Sequence, residues 1–201
     1  MRRELKKLRT RTALVDAALD LFLKKGYEAT TIDEIVASVQ VSQRTFFRYF
    51  ATKEDVVTGF FAEYDEVMRD ALAARPPEEG PLTALHEAMR AVLAAIARSD
   101  AEDSTRFRRV RQVIEATPAL VAAQLARHAE AERELAALVA ERLGTDPDQD
   151  VWPRLLVAFH TAAARVAFED CARHDVWDPV QVAARVDAVM GRAREELPRW
   201  T

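Results

Sequence analysis

The segment 30–53, TTIDEIVASVQVSQRTFFRYFATK, restricts the fold more than any other part of the chain. It contains two helix-start signals. Thr31 stands three residues before Glu34, the spacing of a capping box, in which two side chains satisfy the amides left unpaired at a helix start. Ser42 stands directly before QRTFFRYF, in the position of an N-cap residue ahead of a second short helix. The segment therefore predicts two short helices joined by a tight turn.

The second of these helices has one apolar side and one polar side. Phe46 and Phe50 lie four residues apart, so they face the same way and can pack into a core. The opposite side carries the residues expected to be exposed: Gln43, Arg44, Phe47 and Arg48. A short exposed helix with two guanidinium groups, an amide and an aromatic ring suits the major groove of DNA. The pattern indicates a helix-turn-helix.

Base-edge chemistry suggests a role for each exposed residue of this helix. Arginine pairs best with a guanine edge and glutamine with an adenine edge, which makes Arg44 and Gln43 the expected base readers. Phe47 can pack on a thymine methyl group. Arg48 suits either a base edge or a phosphate.

Charge is divided unevenly along the chain. Residues 1–50 carry ten Lys/Arg and six Asp/Glu, a formal charge of +4, whereas the remainder carries 19 and 27 and is acidic. The first eleven residues, MRRELKKLRTR, form a basic arm that is either a disordered tail or an additional contact to DNA phosphates. We expect only this basic N-terminal part, the head, to bind a polyanion such as DNA.

Helical periodicity accounts for nearly all of the remaining sequence. The apolar spacing predicts a first helix over 12–25 that stops at Gly26, and one long helix of five turns from Thr52. After the breaker RPPEEGP, five more helices are expected: 82–98, 105–116, 118–143, about 149–173 and about 179–196. We predict an all-α fold of about nine helices. Its domains are a three-helix DNA-binding head with its arm (1–53) and a helical body (54–201).

The head resembles the N-terminal domain of the TetR/AcrR family of bacterial regulators. The resemblance covers about residues 12–57 and lies in the ordered motifs G-[FY]-x-x-T-T, V-S-x-x-T-[FL]-[FY]-x-Y-F and K-E-D. It implies that Ser42 begins the recognition helix and that four residues hold DNA phosphates: Thr31, Thr45, Tyr49 and Lys53. Gln40 stands where the family usually has glycine. A left-handed glutamine costs roughly 1 kcal/mol, so a slightly distorted turn is expected there.

The body resembles the ligand-binding half of the same family. STRFRRVRQVIEATPAL and the helix end ERLG are similar to a subgroup described as having an acyl-CoA-like ligand-binding domain. The family's arrangement implies that the last two helices, about 149–173 and 179–196, pair across a twofold axis. The resemblance thus implies a homodimeric, one-component regulator of double-stranded operator DNA. A repressor released from a pseudo-palindromic operator by a small molecule is the expected form, and an activator is the alternative.

The body offers several candidates for contact with an effector: His86, Arg111, Trp152, Phe159, His160 and Arg165. Arg111 lies on an apolar helix face and needs a partner there, either Glu115 or an anionic effector. Three neighbouring arginines either attract a phosphate-bearing ligand or form a solvated face: Arg106, Arg108 and Arg109.

Enzyme chemistry finds little support in the sequence. The four histidines lack metal-ligand spacing, and no G-x-S-x-G, P-loop or dinucleotide motif is present. The single cysteine, Cys171, excludes an intrachain disulfide and is either a redox sensor or a structural thiol. We expect no enzyme, cofactor, metal or membrane span, but a cytoplasmic protein that is nucleoid-associated when bound to DNA. The rival hypothesis is a helical acyl-CoA-like binding protein without specific DNA readout.

Overall fold

The computed structural model describes residues 2–99 and 101–196, and the side chains within them except those of residues 2–5, 101 and 194. All regular secondary structure in this part of the chain is α-helical, so the all-α prediction is confirmed. Ten helices are present in these ranges: α1 (Arg2–Lys25), α2 (Ile32–Val39), α3 (Gln43–Phe47), α4 (Asp55–Thr58), α5 (Ala62–Ala73), α6 (Pro81–Ala97), α7 (Ala101–Glu115), α8 (Pro118–Leu143), α9 (Trp152–Arg173) and α10 (Pro179–Glu196).

The long helix expected from Thr52 is interrupted, which is why ten helices occur instead of about nine. The chain turns at Gly59, between α4 and α5. A Cβ atom at position 59 would lie 2.5 Å from the carbonyl oxygen of Asp55, so this turn requires a residue without a side chain. The prediction of one five-turn helix was wrong because Phe60 and Phe61 continue the apolar spacing across the break.

The contacts divide the chain into two compact units. The first contains the described residues up to Ala62 together with Thr105–Ala126, so it combines α1 to α4 with most of α7 and the start of α8. Its centre consists of fully buried apolar side chains from six helices: Leu14, Leu19, Ile35, Phe46, Val56, Val57, Val110 and Leu120. Burial of this apolar surface supplies the driving force that holds the short α2 and α3 in place.

The second unit contains Glu63–Ser104 and the described residues from Arg127 onward. One apolar cluster in it includes Leu72, Leu85, Val139 and Val157, and another surrounds Cys171. Cys171 is only 3% exposed, and burial raises the pKa of its thiol above the ordinary value. This environment is that of a structural thiol, the second of the two alternatives for this residue.

None of the helices in the described ranges combines the length and apolar character needed to cross a membrane. The basic arm is helical: α1 begins at Arg2, well before the start expected at Thr12. Of the arm's side chains, Lys6, Lys7 and Arg9 are exposed, while the guanidinium of Arg11 lies 5.6 Å from the centre of the Phe50 ring. The arm is therefore a continuation of the first helix, not an irregular tail, over residues 2–11.

Candidate nucleic-acid interface and effector pocket

The start of α2 is fixed by the capping box predicted from the sequence. The Thr31 hydroxyl accepts from the Glu34 amide at 3.3 Å, and the Glu34 carboxylate accepts from the Thr31 amide at 2.8 Å. Lys25 of α1 also donates to this carboxylate. The hydrogen bonds from Lys25 and Thr31 lower the pKa of Glu34 to about 2. Glu34 therefore stays ionised and retains its cap at physiological pH.

The turn between α2 and α3 forms at Gln40, the residue that stands where the family usually has glycine. Gln40 adopts φ 57° and ψ 43°, the left-handed conformation that is usually left to glycine. The Val41 amide donates to the Val36 carbonyl at 3.0 Å, which closes the turn. The Ser42 hydroxyl then accepts from the Thr45 amide at 3.2 Å, so α3 begins at Gln43 as predicted.

Packing of two phenylalanines determines which face of α3 is exposed. Phe46 is 0% exposed and Phe50 is 4% exposed, and their rings lie 5.4 Å apart. The four residues expected at the solvent are all exposed: Gln43, Arg44, Phe47 and Arg48. The Phe47 side chain is 52% exposed, an uncommon position for a ring unless a partner covers it.

Three of these exposed side chains differ in the hydrogen bonds and ring contacts that they form within the chain. Arg44 makes no hydrogen bond or ion pair with any residue that the structure describes. Arg48 donates to the Tyr49 hydroxyl at 3.1 Å and lies over that ring, 4.9 Å from its centre. The Gln43 amide nitrogen donates to the Asp33 carboxylate of α2. Gln43 keeps one N–H and its carbonyl oxygen, the donor and acceptor that an adenine edge takes.

Sequence reasoning missed Asp33 because its position indicates only a favourable charge in the first turn of α2. The pairing joins residues ten positions apart across the turn, so it depends on how α2 and α3 cross.

The residues expected to hold phosphates differ in the contacts that they already make within the chain. Thr31 is exposed, and the Thr45 hydroxyl lies 3.0 Å from that of Ser42. The Lys53 ammonium donates to the carbonyl oxygens of Tyr27 at 2.7 Å and Thr30 at 2.9 Å, which ties down the loop between α1 and α2. An ammonium has three donors, so one remains for a phosphate.

The arginines of α7 have carboxylate partners that the sequence did not reveal. Arg106 forms two bonds to the Asp16 carboxylate, at 2.8 Å and 3.1 Å, and Arg109 pairs with Asp20. All four residues belong to the first unit. These two arginines therefore bind α1, an arrangement that neither of the alternatives from the sequence included. Arg111 donates to Glu115 at 2.6 Å, so the first of its two alternative partners was the correct one.

Three of the six effector candidates meet in the second unit. His86 of α6 and Phe159 and His160 of α9 line a cavity of about 20 Å³. Apolar side chains complete its wall: Leu82, Ala163, Met190 and Ala193. Of the other three candidates, Arg111 lies in the first unit, Arg165 pairs with Glu169 at 2.7 Å, and Trp152 is 51% exposed.

The two histidines of this cavity have different surroundings. His86 Nε2 lies 3.6 Å from a carboxylate oxygen of Asp187 on α10, which also lies 3.5 Å from Arg90 Nε. His160 is 4% exposed, and burial together with the neighbouring His86 lowers its pKa to about 4. His160 is therefore neutral at physiological pH. Sequence reasoning missed Asp187, which has an ordinary helix-surface position in the pattern of α10.

Large apolar side chains are exposed on α9, on α10 and directly before α9, and this set is named the exposed apolar row: Val151, Trp152, Leu155, Val166 and Val180. Each is at least half exposed in the single chain. Exposed large apolar groups, where they form a patch, usually mark a surface that another molecule covers.

Comparison with known proteins agrees with this arrangement. Residues 14–58 match the family described as "Bacterial regulatory proteins, tetR family", and residues 80–197 match the "MftR C-terminal domain". The chain is 38% identical over 197 residues to the HTH-type transcriptional regulator TcmR of Streptomyces glaucescens, covering 97% of this chain and 87% of that protein. The chain belongs to the TetR family of bacterial transcription regulators.

Two further comparisons extend this result. The chain is 30% identical over 148 residues to the putative mycofactocin biosynthesis transcriptional regulator MftR of Mycobacterium tuberculosis, covering 71% of this chain and 73% of that protein. Among solved structures, the fold is similar to that of NalD, the secondary repressor of the MexAB-OprM multidrug efflux pump in Pseudomonas aeruginosa. That likeness has a TM-score of 0.58 at 19% identity and covers 93% of this chain and 97% of NalD.

Membership of the TetR family confirms the function predicted from the sequence. The protein is a helix-turn-helix transcriptional regulator of a family whose members bind operator DNA, are generally dimeric and respond to ligands. It is not an enzyme, since its relatives are transcriptional regulators.

Proposed function

We propose that this TetR-family regulator reads a pseudo-palindromic operator with the exposed face of α3, as a homodimer that a small molecule releases. The observation that carries the proposal is the exposure of Gln43, Arg44 and Phe47 on a helix whose opposite side is anchored by the fully buried Phe46. Arg44 is exposed and engaged by no other described residue, so its guanidinium is available for a guanine edge.

We assign the bases and phosphates to different residues. Gln43 and Arg44 read base edges, and Phe47 contacts a thymine methyl group. Thr31, Ser42, Thr45, Tyr49 and Lys53 hold the backbone in register, and Arg48 joins them because its guanidinium already binds the Tyr49 hydroxyl. We assign DNA binding to the domain of residues 1–53. We assign effector binding and dimerisation to the domain of residues 54–201.

This assignment is tested by selecting duplexes from a random pool and measuring affinities by gel shift. Replacing Arg44 with Ala should relax preference at one base position, a loss of about 1–3 kcal/mol there. The Lys53→Ala variant should weaken all duplexes alike and reduce the slope of log affinity against log salt by about one. Equal loss on every duplex for both variants would show that the division between bases and phosphates is wrong.

Lys53 also holds the loop between α1 and α2, so a folding defect has to be separated from a lost phosphate contact. A folding defect lowers the active fraction but leaves the salt slope unchanged, whereas a lost phosphate contact reduces the slope. Specific selection by the wild-type protein separates this proposal from its rival. A binding protein without DNA readout would enrich no sequence.

We assign dimerisation to the regions 149–173 and 179–196, where the exposed apolar row of α9 and α10 lies. Trp152, Leu155 and Val166 fall on one side of α9 by helical spacing, and each is about half exposed. Covering such groups with a second copy is favourable by about 25 cal/mol for each Å² of apolar surface. A twofold pair would place two α3 helices on successive half-sites.

The dimer assignment is tested by size-exclusion chromatography with light scattering. Replacing both Leu155 and Val166 with Glu should give monomers with much weaker binding to the palindromic duplex, because charges would be desolvated in the interface. The matched control is Ala137→Glu, at another exposed position, on α8, which should remain dimeric. A dimeric double variant would place the interface elsewhere.

We place the effector at the cavity lined by His86, Phe159 and His160. Arg111 and Arg165 have carboxylate partners, and Trp152 lies in the exposed apolar row, so these three have other roles. An acyl-CoA-like effector, suggested by the body's sequence, needs cations for its phosphates. Whatever its identity, the effector must bind the DNA-free form more tightly than the DNA-bound form, or it releases nothing.

A further inference from the structure

The cavity in the second unit contains a buried nitrogen that is not satisfied. His160 is only 4% exposed, and its Nε2 has no hydrogen-bond partner among the described residues. Leaving such a group unpaired in a protein interior costs about 1–3 kcal/mol, so native proteins rarely do so without a reason. His160 belongs to the cavity lining, so a molecule that displaces the side chains packed around it can supply the missing partner.

The surroundings of this nitrogen restrict the charge of that molecule. The described lining of the cavity includes two histidines and otherwise only apolar residues, with no lysine or arginine. The nearest carboxylate, that of Asp187, lies 3.6 Å from the Nε2 of His86. That carboxylate also lies 3.5 Å from Arg90 Nε, so the nearest cation outside the lining is already paired. An anion in the cavity would therefore lose its hydration without gaining an unpaired cation, a penalty that an uncharged molecule avoids.

The shape and type of the wall restrict its chemistry further. Phe159 provides an aromatic ring, and Met190 provides a polarizable thioether that packs favourably against ring edges. The neutral imidazole presents either a donor or an acceptor at Nε2, depending on its tautomer. A hydroxyl group can donate and accept, so it satisfies this nitrogen in either case.

We propose that the effector is an uncharged aromatic compound with a hydroxyl group, and that this hydroxyl forms a hydrogen bond with His160 Nε2. This inference rests on the proposed function, because it specifies the ligand class of the effector site. It disfavours acyl-CoA thioesters at this cavity, because four of the body's arginines are already paired: Arg106 with Asp16, Arg109 with Asp20, Arg111 with Glu115 and Arg165 with Glu169.

The present cavity is small at this position. A volume of about 20 Å³ admits a molecule the size of water and no aromatic ring. Met190 is the side chain best suited to move, since its unbranched thioether has three rotatable bonds. Ring binding therefore changes the packing of α9 and α10, the two helices that carry the exposed apolar row. A ligand that binds here consequently acts on the surface assigned to dimerisation.

The proposal is tested by isothermal titration of the full-length dimer with three probes. 2-Naphthol carries the hydroxyl, 2-methylnaphthalene replaces it with a methyl group of similar size, and octanoyl-CoA carries phosphates. We expect 2-naphthol to bind roughly tenfold more tightly than 2-methylnaphthalene, the effect of one hydrogen bond to a buried group. His160→Leu should remove this preference, and His160→Gln should retain most of it because an amide can still donate and accept.

Two further variants keep the test decisive if His160→Leu does not fold. Ala163→Phe adds a ring inside the cavity and should abolish 2-naphthol binding, whereas Ala94→Phe, at an exposed position on α6, should leave binding unchanged. Thermal unfolding of each variant confirms that the fold is retained. The inference is overturned if wild-type protein binds neither naphthalene compound or binds both equally, or if octanoyl-CoA binds tightly without dependence on His160.

The outcome is separable from that of the proposed function. Gel shifts with the selected duplex, without any compound, test DNA readout alone. Duplex binding with no hydroxyl preference would overturn only this inference. A hydroxyl preference without specific duplex binding would instead overturn the proposed DNA readout and leave a binding protein.

Discussion

The buried histidine of the second unit should make the protein sensitive to acid. The pKa of His160 is lowered from 6.5 to about 4 by burial and by the neighbouring His86. Between these values the unfolded chain binds a proton that the folded chain excludes. The free energy of unfolding is therefore fully maintained above pH 6.5 and falls as the pH falls towards 4.

The size of this effect follows from the pKa difference. Each pH unit between the two values removes up to 1.36 kcal/mol, since one proton separates the unfolded and folded states. From pH 7.5 to 4.5, His160 alone should remove about 2–3 kcal/mol, which is a large part of a typical folding free energy of 5–15 kcal/mol. His86 and Asp187 belong to the same cluster, so they must be present in both proteins that are compared.

The assay compares urea unfolding of wild-type protein and His160→Gln at the two pH values, at one fixed protomer concentration. The change from pH 7.5 to 4.5 should be about 2–3 kcal/mol larger in the wild type, because glutamine does not titrate. Carboxylates that titrate in both proteins cancel in this difference. If the two proteins lost the same free energy, His160 would be accessible to protons in the folded state, and the reasoning would be refuted.

Three further predictions concern the first unit. Phe46→Ala should lower the free energy of unfolding in urea by about 3–5 kcal/mol and abolish DNA binding, because it empties the site under α3. Gly59→Ala should destabilise by about 1–3 kcal/mol in the same assay, since its methyl group would meet the Asp55 carbonyl at 2.5 Å; unchanged stability would mean that the turn adjusts freely. A double-mutant cycle of Asp16→Ala and Arg106→Ala should give a coupling of about 1 kcal/mol, and additive losses would show that the pair adds nothing.

Features encoded within a few residues could be predicted from the sequence. The cap at Thr31, the N-cap at Ser42 and the stop at Gly26 each depend on local backbone geometry, and all three occur as expected. The exposed face of α3 could also be predicted, because Phe46 and Phe50 at one helical repeat leave only one side free. For this reason the exposure of Gln43, Arg44, Phe47 and Arg48 was predicted correctly, while their contacts with DNA stay a prediction.

Features that depend on distant partners could not be predicted in this way. Asp16 and Arg106 are 90 positions apart, and each alone looks like an ordinary charge on a helix surface. His86 and His160 likewise meet only because α6 and α9 pack together. The turn at Gly59 was missed for a different reason. It depends on the close approach of the Gly59 and Asp55 backbones, and the spacing of apolar residues carries no information about that distance.

The pairing of polar groups decides where this regulator can meet other molecules. Arginine has no acceptor and keeps its charge, so an arginine that binds a carboxylate is less available to an anionic ligand. Arg106 and Arg111 are engaged in this way, whereas Arg44 has no partner in the described part of the chain. His160 Nε2 is the corresponding unsatisfied atom in the second unit. An exposed guanidinium forms hydrogen bonds with water when DNA is absent, so leaving it without a protein partner costs little free energy. A buried imidazole nitrogen without a partner costs more, so pairing with a ligand stabilises the second site more strongly.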